Sequence, residues 1–422
     1  MRDALILHNP HWQNKEYDIP IERGILDKLV RYRNTKEIFV VKGIRRSGKS
    51  SLLKLYINRL MKDVNPLSIL FINFDDPVFS GIYTHPEKIH EIIIRAEQIT
   101  ETTVKYLFLD EIQPVLTWEK YIKSVYDSNR FKKIVITGSN SKLLSGDYSG
   151  LLSGRYLSFQ LYPLSLQEIL RYYGISNRLS LESNKSKVLN TIEELLQYGS
   201  FPEVFLQSQP EIKRDLLTHY YDSILIKDCV INQKIRDVIS FKQLAFYLLN
   251  NTGNLFSYNS LAKALGMTDL SVKEYISAMK EAFLLYELPQ FSFKAKQVLK
   301  SKRKIYTIDN GFINAVAPGY VRNTGQKFEN WVFDELTKRG LEPAGYYLDK
   351  RECDFIIKNH DVNMAIQVSY ELTPENTARE IKSLLEVKQK FGIKELYILT
   401  FNQHVDIHAE IKVMPVYEFF GI

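Results

Sequence analysis

Gly43-Ile44-Arg45-Arg46-Ser47-Gly48-Lys49-Ser50 reads G-x-x-x-x-G-K-S, and Ser51 follows it. Each residue type has a physical reason. The glycines let backbone N–H groups turn inward around an anion, the lysine carries an ammonium to the outer phosphates, and the serine hydroxyl suits Mg²⁺. A helix beginning here adds its positive end to the same anion site. The flanks agree: Glu37-Ile38-Phe39-Val40-Val41 has the apolar, β-rich character of a buried strand. Beyond the loop, Leu52, Leu55, Tyr56 and Leu60 recur at helical spacing. Strand, glycine-rich loop and helix predict a cradle for ATP and Mg²⁺ built from Gly43, Ile44, Arg45, Arg46, Ser47, Gly48, Lys49, Ser50 and Ser51. The competing reading is a tight strand-to-helix turn with a surface lysine.

A second motif supports the cradle. Tyr106-Leu107-Phe108-Leu109 closes on Asp110-Glu111. An acid at the end of a buried strand can hold the metal together with Ser50, and the next acid can polarise water against the terminal phosphate. Asp110 is thus the expected metal ligand and Glu111 the expected catalytic acid, beside Lys49. A further strand, Ile134-Val135-Ile136-Thr137, exits into Gly138-Ser139-Asn140. Ser139 or Asn140 is placed to sense the γ-phosphate; a helix cap is the alternative for both. Strands alternating with helices over residues 1–160 predict an α/β fold with a parallel sheet covered on both faces.

The rest of the composition bounds the possibilities. The chain has 422 residues, 45% hydrophobic and 25% charged, with a net charge of +7. Several domains are expected at this length. The basic balance is compatible with nucleic acid without requiring it. Only two cysteines, Cys229 and Cys353, are present, which argues against a disulfide framework or a structural zinc site. No apolar run is long enough to span a bilayer, and a cytoplasmic protein without membrane partners is expected.

From Thr137-Gly138-Ser139 through Leu143-Leu144 and Leu151-Leu152-Ser153-Gly154-Arg155 to Pro163-Leu164-Ser165-Leu166-Gln167-Glu168, the chain resembles prokaryotic AAA+ ATPases with a nuclease-like C-terminal domain. Phe74-Asp75-Asp76, Asp110-Glu111-Ile112-Gln113 and Tyr198-Gly199-Ser200-Phe201-Pro202-Glu203 carry the same resemblance. It implies that Arg155, at a helix-to-strand junction, reaches a neighbouring subunit's nucleotide in a homo-oligomer; a surface ion pair is the alternative. Residues 165–173 and 186–198 read as helices with a polar Ser/Asn-rich stretch between them at residues 175–187, and residues 161–235 resemble a helical lid.

Residues 236–310 look like a winged helix-turn-helix. Ser257 caps a first helix, Asp269 to Glu281 forms a second, and two strands flank a basic loop with Lys294, Lys296, Lys300, Lys302 and Arg303. DNA contact through the second helix and the loop is one reading, and packing of protein against protein is the other.

Residues 311–422 resemble, in element order, the PD-(D/E)xK nuclease fold, an α/β restriction-endonuclease-like domain. Glu329 and Asp354 match its acids. Gln367-Val368-Ser369 stands where D/E-x-K would be, so an amide replaces a carboxylate and no ammonium follows. A structural or binding role without nuclease activity is expected. His404, Asp406 and His408 alternate as on a strand face, where they suit either a metal or plain surface polarity. The function expected of the whole chain is ATP hydrolysis that moves the lid and winged unit. A slow nucleotide-gated switch and an ATP-dependent nuclease are the alternatives.

Overall fold

A computed structural model describes residues 1–139, 147–316, 324–348 and 351–421. The chain divides into two compact units, Met1–Tyr162 and Pro163–Ile422. The first contains α1 (Arg2–His8), α2 (Ile25–Arg31), β1 (Ile38–Lys42), α3 (Lys49–Leu60), β2 (Ile69–Asn73), α4 (Ile89–Thr100), β3 (Tyr106–Asp110), α5 (Trp118–Asp127), β4 (Lys133–Gly138), α6 (Asp147–Leu152) and β5 (Tyr156–Gln160).

Its five strands are parallel in the order β2-β3-β4-β1-β5. Side chains alternate between two cores. Ile38, Val40, Leu70, Ile72, Leu107, Leu109, Ile134 and Ile136 pack with residues of α4 and α5. Phe39, Val41, Phe71, Phe108 and Val135 pack with residues of α2 and α3. Covering both faces explains why the strands read as continuous apolar runs. The chain leaves β1 through the glycine-rich loop and α3, crosses to the far edge at β2, and returns. This brings the ends of β1, β3 and β4 to one rim, where open parallel sheets place their ligands.

The first twenty residues, which have no period in sequence, close the free edge of β2. The Asn9 side chain accepts from Phe71 N at 2.7 Å and donates to Phe71 O at 3.0 Å, and Trp12 Nε1 donates to Ile69 O at 2.8 Å. These bonds give edge-strand groups the partners a sixth strand would supply.

The second unit contains α7 (Leu166–Tyr172), α8 (Arg178–Ser183), α9 (Lys185–Tyr198), α10 (Pro202–Leu206), α11 (Pro210–Ser223), α12 (Val238–Asn250), β6 (Leu255–Phe256), α13 (Tyr258–Leu265), α14 (Asp269–Glu281), β7 (Leu285–Leu288), α15 (Ala295–Lys300) and β8 (Arg303–Thr307). Then come α16 (Asn310–Val316), α17 (Thr324–Lys338), β9 (Ala344–Leu348), β10 (Arg351–Lys358), β11 (Asn363–Ser369), α18 (Pro374–Phe391), β12 (Glu395–Thr400), β13 (Ile411–Pro415) and α19 (Val416–Gly421). A π-helical stretch, Ile224–Ile231, continues α11. One sheet is antiparallel, β6-β8-β7; the other runs β13-β12-β11-β10-β9. In the latter β9, β10 and β11 are antiparallel, and β11, β12 and β13 parallel.

Three local expectations are corrected. The polar stretch between helices at residues 175–187 itself holds α8, because Asn177 and Ser180 form a capping box and Leu181 is buried. The basic stretch before β8 holds the short helix α15. His404, Asp406 and His408 are not on a strand, and His404 Nε2 lies 3.0 Å from Glu418 Oε1.

Buried charges join α7, α9, α16 and α17. Glu335 accepts from Leu166 N at 3.1 Å, Asp309 accepts from Ser200 N at 2.6 Å, and Lys338 donates to Leu164 O at 2.8 Å. Among the described residues no helix is long and apolar enough to cross a membrane.

Asn9→Ala leaves Phe71 N and O without these partners in a buried setting and should destabilise the first unit by about 2 kcal/mol. Urea denaturation should show a lower midpoint at unchanged slope.

Candidate functional site

The loop after β1 is shaped by close approach. A β-carbon on Gly43 would lie 2.1 Å from Leu161 O, and Leu161 N donates to Lys42 O at 2.7 Å. Gly48 precedes α3 with φ 93°, a left-handed conformation that glycine adopts without steric cost. Arg46 takes φ 70°. Ser47 is fully buried, and its hydroxyl has no hydrogen-bond partner. Ile44 is buried, while Ser50 and Ser51 lie in the first turn of α3. Lys49 Nζ is folded back into the loop, 3.1 Å from Gly43 O, 3.3 Å from Ile44 O and 3.3 Å from Glu111 Oε1.

The acids stand at the end of β3. Asp110 is fully buried. Its Oδ1 accepts from Thr137 Oγ1 at 2.6 Å, and Oδ2 has no partner. Burial and the neighbouring Glu111 charge push its pKa up to about 6, against the pull of hydrogen bonds from Ser50 and Thr137 and the charge of Lys49. Burial also disfavours the Glu111 carboxylate, but Lys49 and the Gln113 amide outweigh it and hold the group below its usual range. A buried serine-bonded carboxylate with one oxygen unpartnered, beside an ammonium, fits Mg²⁺ carrying a polyanion.

Two residues to which the sequence reading gave no role in the site organise this pair. Thr137 Oγ1 accepts from Glu111 N at 2.8 Å while donating to Asp110. Gln113 Nε2 donates to Glu111 Oε2 at 2.7 Å and to Ser139 Oγ at 3.3 Å. Their signal was position alone: Thr137 ends a strand beside β3, and Gln113 follows Glu111 by two. Ser139 is buried within this network, and Asn140 lies outside the described residues. Arg155 is not in the cradle: its Nε donates to Asp127 Oδ1 at 3.3 Å on the surface.

A second cluster lies in the other unit. Glu329 on α17 and Glu352 and Asp354 on β10 bring carboxylate oxygens within 4.8 Å of one another. They line a mostly polar cavity of about 420 Å³ together with Lys304, Gln367, Arg379 and Glu380. Lys304 on β8 donates to Glu329 Oε1 at 2.7 Å, pairs with Glu352, and lies 3.8 Å from Asp354 Oδ1. Tyr306 also donates to Glu329. The ammonium that Ser369 cannot supply stands here on another element, Lys304 of β8. Gln367 uses its oxygen to accept from Asp354 N at 2.8 Å and its amide to donate to Glu380. Burial, then Glu329, pushes Asp354 well above the carboxylate range, with Lys304 opposing.

This loop, with its strand order and paired acids, defines a P-loop protein of the AAA+ class. Residues 35–170 match the AAA domain family AAA_14, and residues 189–323 match a domain of unknown function, DUF8612. An uncharacterized protein of Haemophilus influenzae is 31% identical over 372 residues, 87% of this chain and 90% of its own length. Uncharacterized protein MJ1544 of Methanocaldococcus jannaschii is 33% identical over 395 residues, 90% and 85% of the two chains. The chain belongs to one family with these two uncharacterized proteins. Similar solved structures include Aeropyrum pernix ORC1 in complex with DNA, with 11% identity, TM-score 0.34, and coverage of 73% of this chain and 96% of that one. AMPPCP-bound DnaA from Aquifex aeolicus has 15% identity, TM-score 0.28, and coverage of 65% and 92%.

Lys304→Met should leave three converging carboxylates without their ammonium and destabilise the second unit by about 3 kcal/mol. Adding Glu329→Gln to that variant should recover part of the loss in chemical denaturation.

Proposed function

We propose that this protein binds Mg-ATP at Gly43–Ser51 and hydrolyses it. The observation that carries the reading is the convergence of Lys49, Ser50, Asp110 and Glu111 on the rim of one sheet. Ser50 and Asp110 hold the metal, which neutralises phosphate charge. Lys49 exchanges its loop carbonyls and Glu111 for the outer phosphates. Glu111, freed from the ammonium and steadied by Gln113, orients water, and Ser139 reports the terminal phosphate. Arg155 acts on a neighbour's nucleotide in a homo-oligomer, exchanging Asp127 for phosphate. Hydrolysis then drives movement of the lid and winged-helix parts of the second unit. The Lys49–Glu111 pair also favours a second reading, a slow nucleotide-gated switch, because hydrolysis waits until that pair opens.

DNA contact, where it occurs, runs through the exposed lysines around α15, Lys294, Lys296, Lys300 and Lys302. The charges near α14 are largely taken: Lys273 by Asp269, and Lys280 and Arg303 by Glu287. The C-terminal nuclease-like domain serves binding or structure, a reading supported by Lys304 among its carboxylates and by the engaged Gln367.

Lys49→Ala should abolish nucleotide binding. Glu111→Gln should retain it while slowing phosphate release about a hundredfold, the range for loss of a general base. Single-turnover and steady-state phosphate release separate the ATPase from the switch. Wild-type turnover by the Glu111→Gln protein would contradict the role given to Glu111.

A further inference from the structure

Arg23 belongs to none of the motifs, yet it is 6% exposed and reaches the cradle from behind. Its Nη1 donates to Ser47 O at 2.8 Å, and its Nη2 donates to Tyr162 O at 2.6 Å. Ser47 precedes the second glycine of the loop, and Tyr162 is the last residue of the first unit.

The first contact fixes a peptide plane. In a trans peptide, the C=O of one residue and the N–H of the next point in opposite directions. With the Ser47 carbonyl held towards Arg23, the Gly48 N–H faces away from it. Donors of this kind bind a phosphate without rearranging when the anion arrives. The second contact anchors the guanidinium to residues that also brace the start of the loop. Leu161 N donates to Lys42 O, and Leu161 O lies where a Gly43 β-carbon would sit. Residues 161–162 therefore support the loop at Gly43 directly and at Ser47 through Arg23.

We infer that Arg23 is a positioning residue for the phosphate chain of the nucleotide: it orients the Ser47–Gly48 peptide so that Gly48 N–H is presented to phosphate, and it ties that peptide to the backbone where the first unit ends. A fork of two N–H groups spans two carbonyls, which a lysine ammonium at the end of a flexible stem does less rigidly. The inference rests on the Mg-ATP reading above.

A backbone donor to the phosphate chain serves ADP and ATP alike, so its loss is a loss of uniform binding. Calorimetry should find Mg-ADP and Mg-ATP weakened by the same factor in Arg23→Gln, about tenfold for one well-aligned charged-group hydrogen bond. KM in phosphate release should rise by that factor, with kcat within about twofold of wild type. Arg23→Lys should fall between the two, and it carries the test if Arg23→Gln does not fold. A packing role alone would lower the melting temperature and leave both affinities unchanged in the folded protein. Unchanged affinities, or a fall in kcat at unchanged KM, would overturn the inference. Wild-type protein that binds neither nucleotide would instead remove the reading beneath it.

Discussion

A buried ammonium needs partners, and the first unit is arranged around one that can change them. Lys49 is almost wholly enclosed and held by two loop carbonyls and the Glu111 carboxylate at 3.1–3.3 Å. Taking a charge out of water is costly unless it is paired. Those partners satisfy the ammonium from within the first unit. The same lysine lowers the Glu111 pKa, and Thr137 links Glu111 to Asp110 through one hydroxyl. Lys49, Asp110 and Glu111 thus form one electrostatic system.

The second unit buries ammoniums as well. Lys338 lies 2.6 Å from Asp334 and 3.1 Å from Glu335, and Lys304 lies 2.7 Å from Glu329. These ammoniums are closed in by carboxylates of their own unit. Lys338 also draws α7 and α17 together through Leu164 O. Lys304 joins the antiparallel sheet of β6-β8-β7 to the acids of α17 and β10. These pairs hold parts together through carboxylates, whereas Lys49 is held by two carbonyls of its own loop and one carboxylate.

What the sequence disclosed followed from local physics. The glycine-rich loop declared itself because its residue types are needed at fixed spacing, and β1 and β3 because burial on both faces leaves only apolar side chains. The element order of residues 324–400 was legible for the same reason. What stayed hidden depends on long-range contact. Asn9 and Trp12 complete the edge of β2 through side chains, which leave no period. Lys304 reaches Glu329 and Asp354 from a different sheet, so nothing in Gln367-Val368-Ser369 pointed to it. Arg23 and Thr137 act on partners 24 and 27 positions away, respectively. The short helices α8 and α15 lie where polar composition suggested loops, and α8 exists because a capping box and one buried leucine suffice.

The central claim is that a nucleoside triphosphate occupies the Lys49 cradle with its metal at Ser50 and Asp110. Isothermal calorimetry of ATP into the full chain, with Mg²⁺ and then with EDTA, tests it most directly. One site per chain, markedly weakened without Mg²⁺ and absent in Lys49→Ala, is the result the account predicts. Folded protein that takes up no ATP in the presence of Mg²⁺, or binds it equally well after Lys49→Ala, would contradict it.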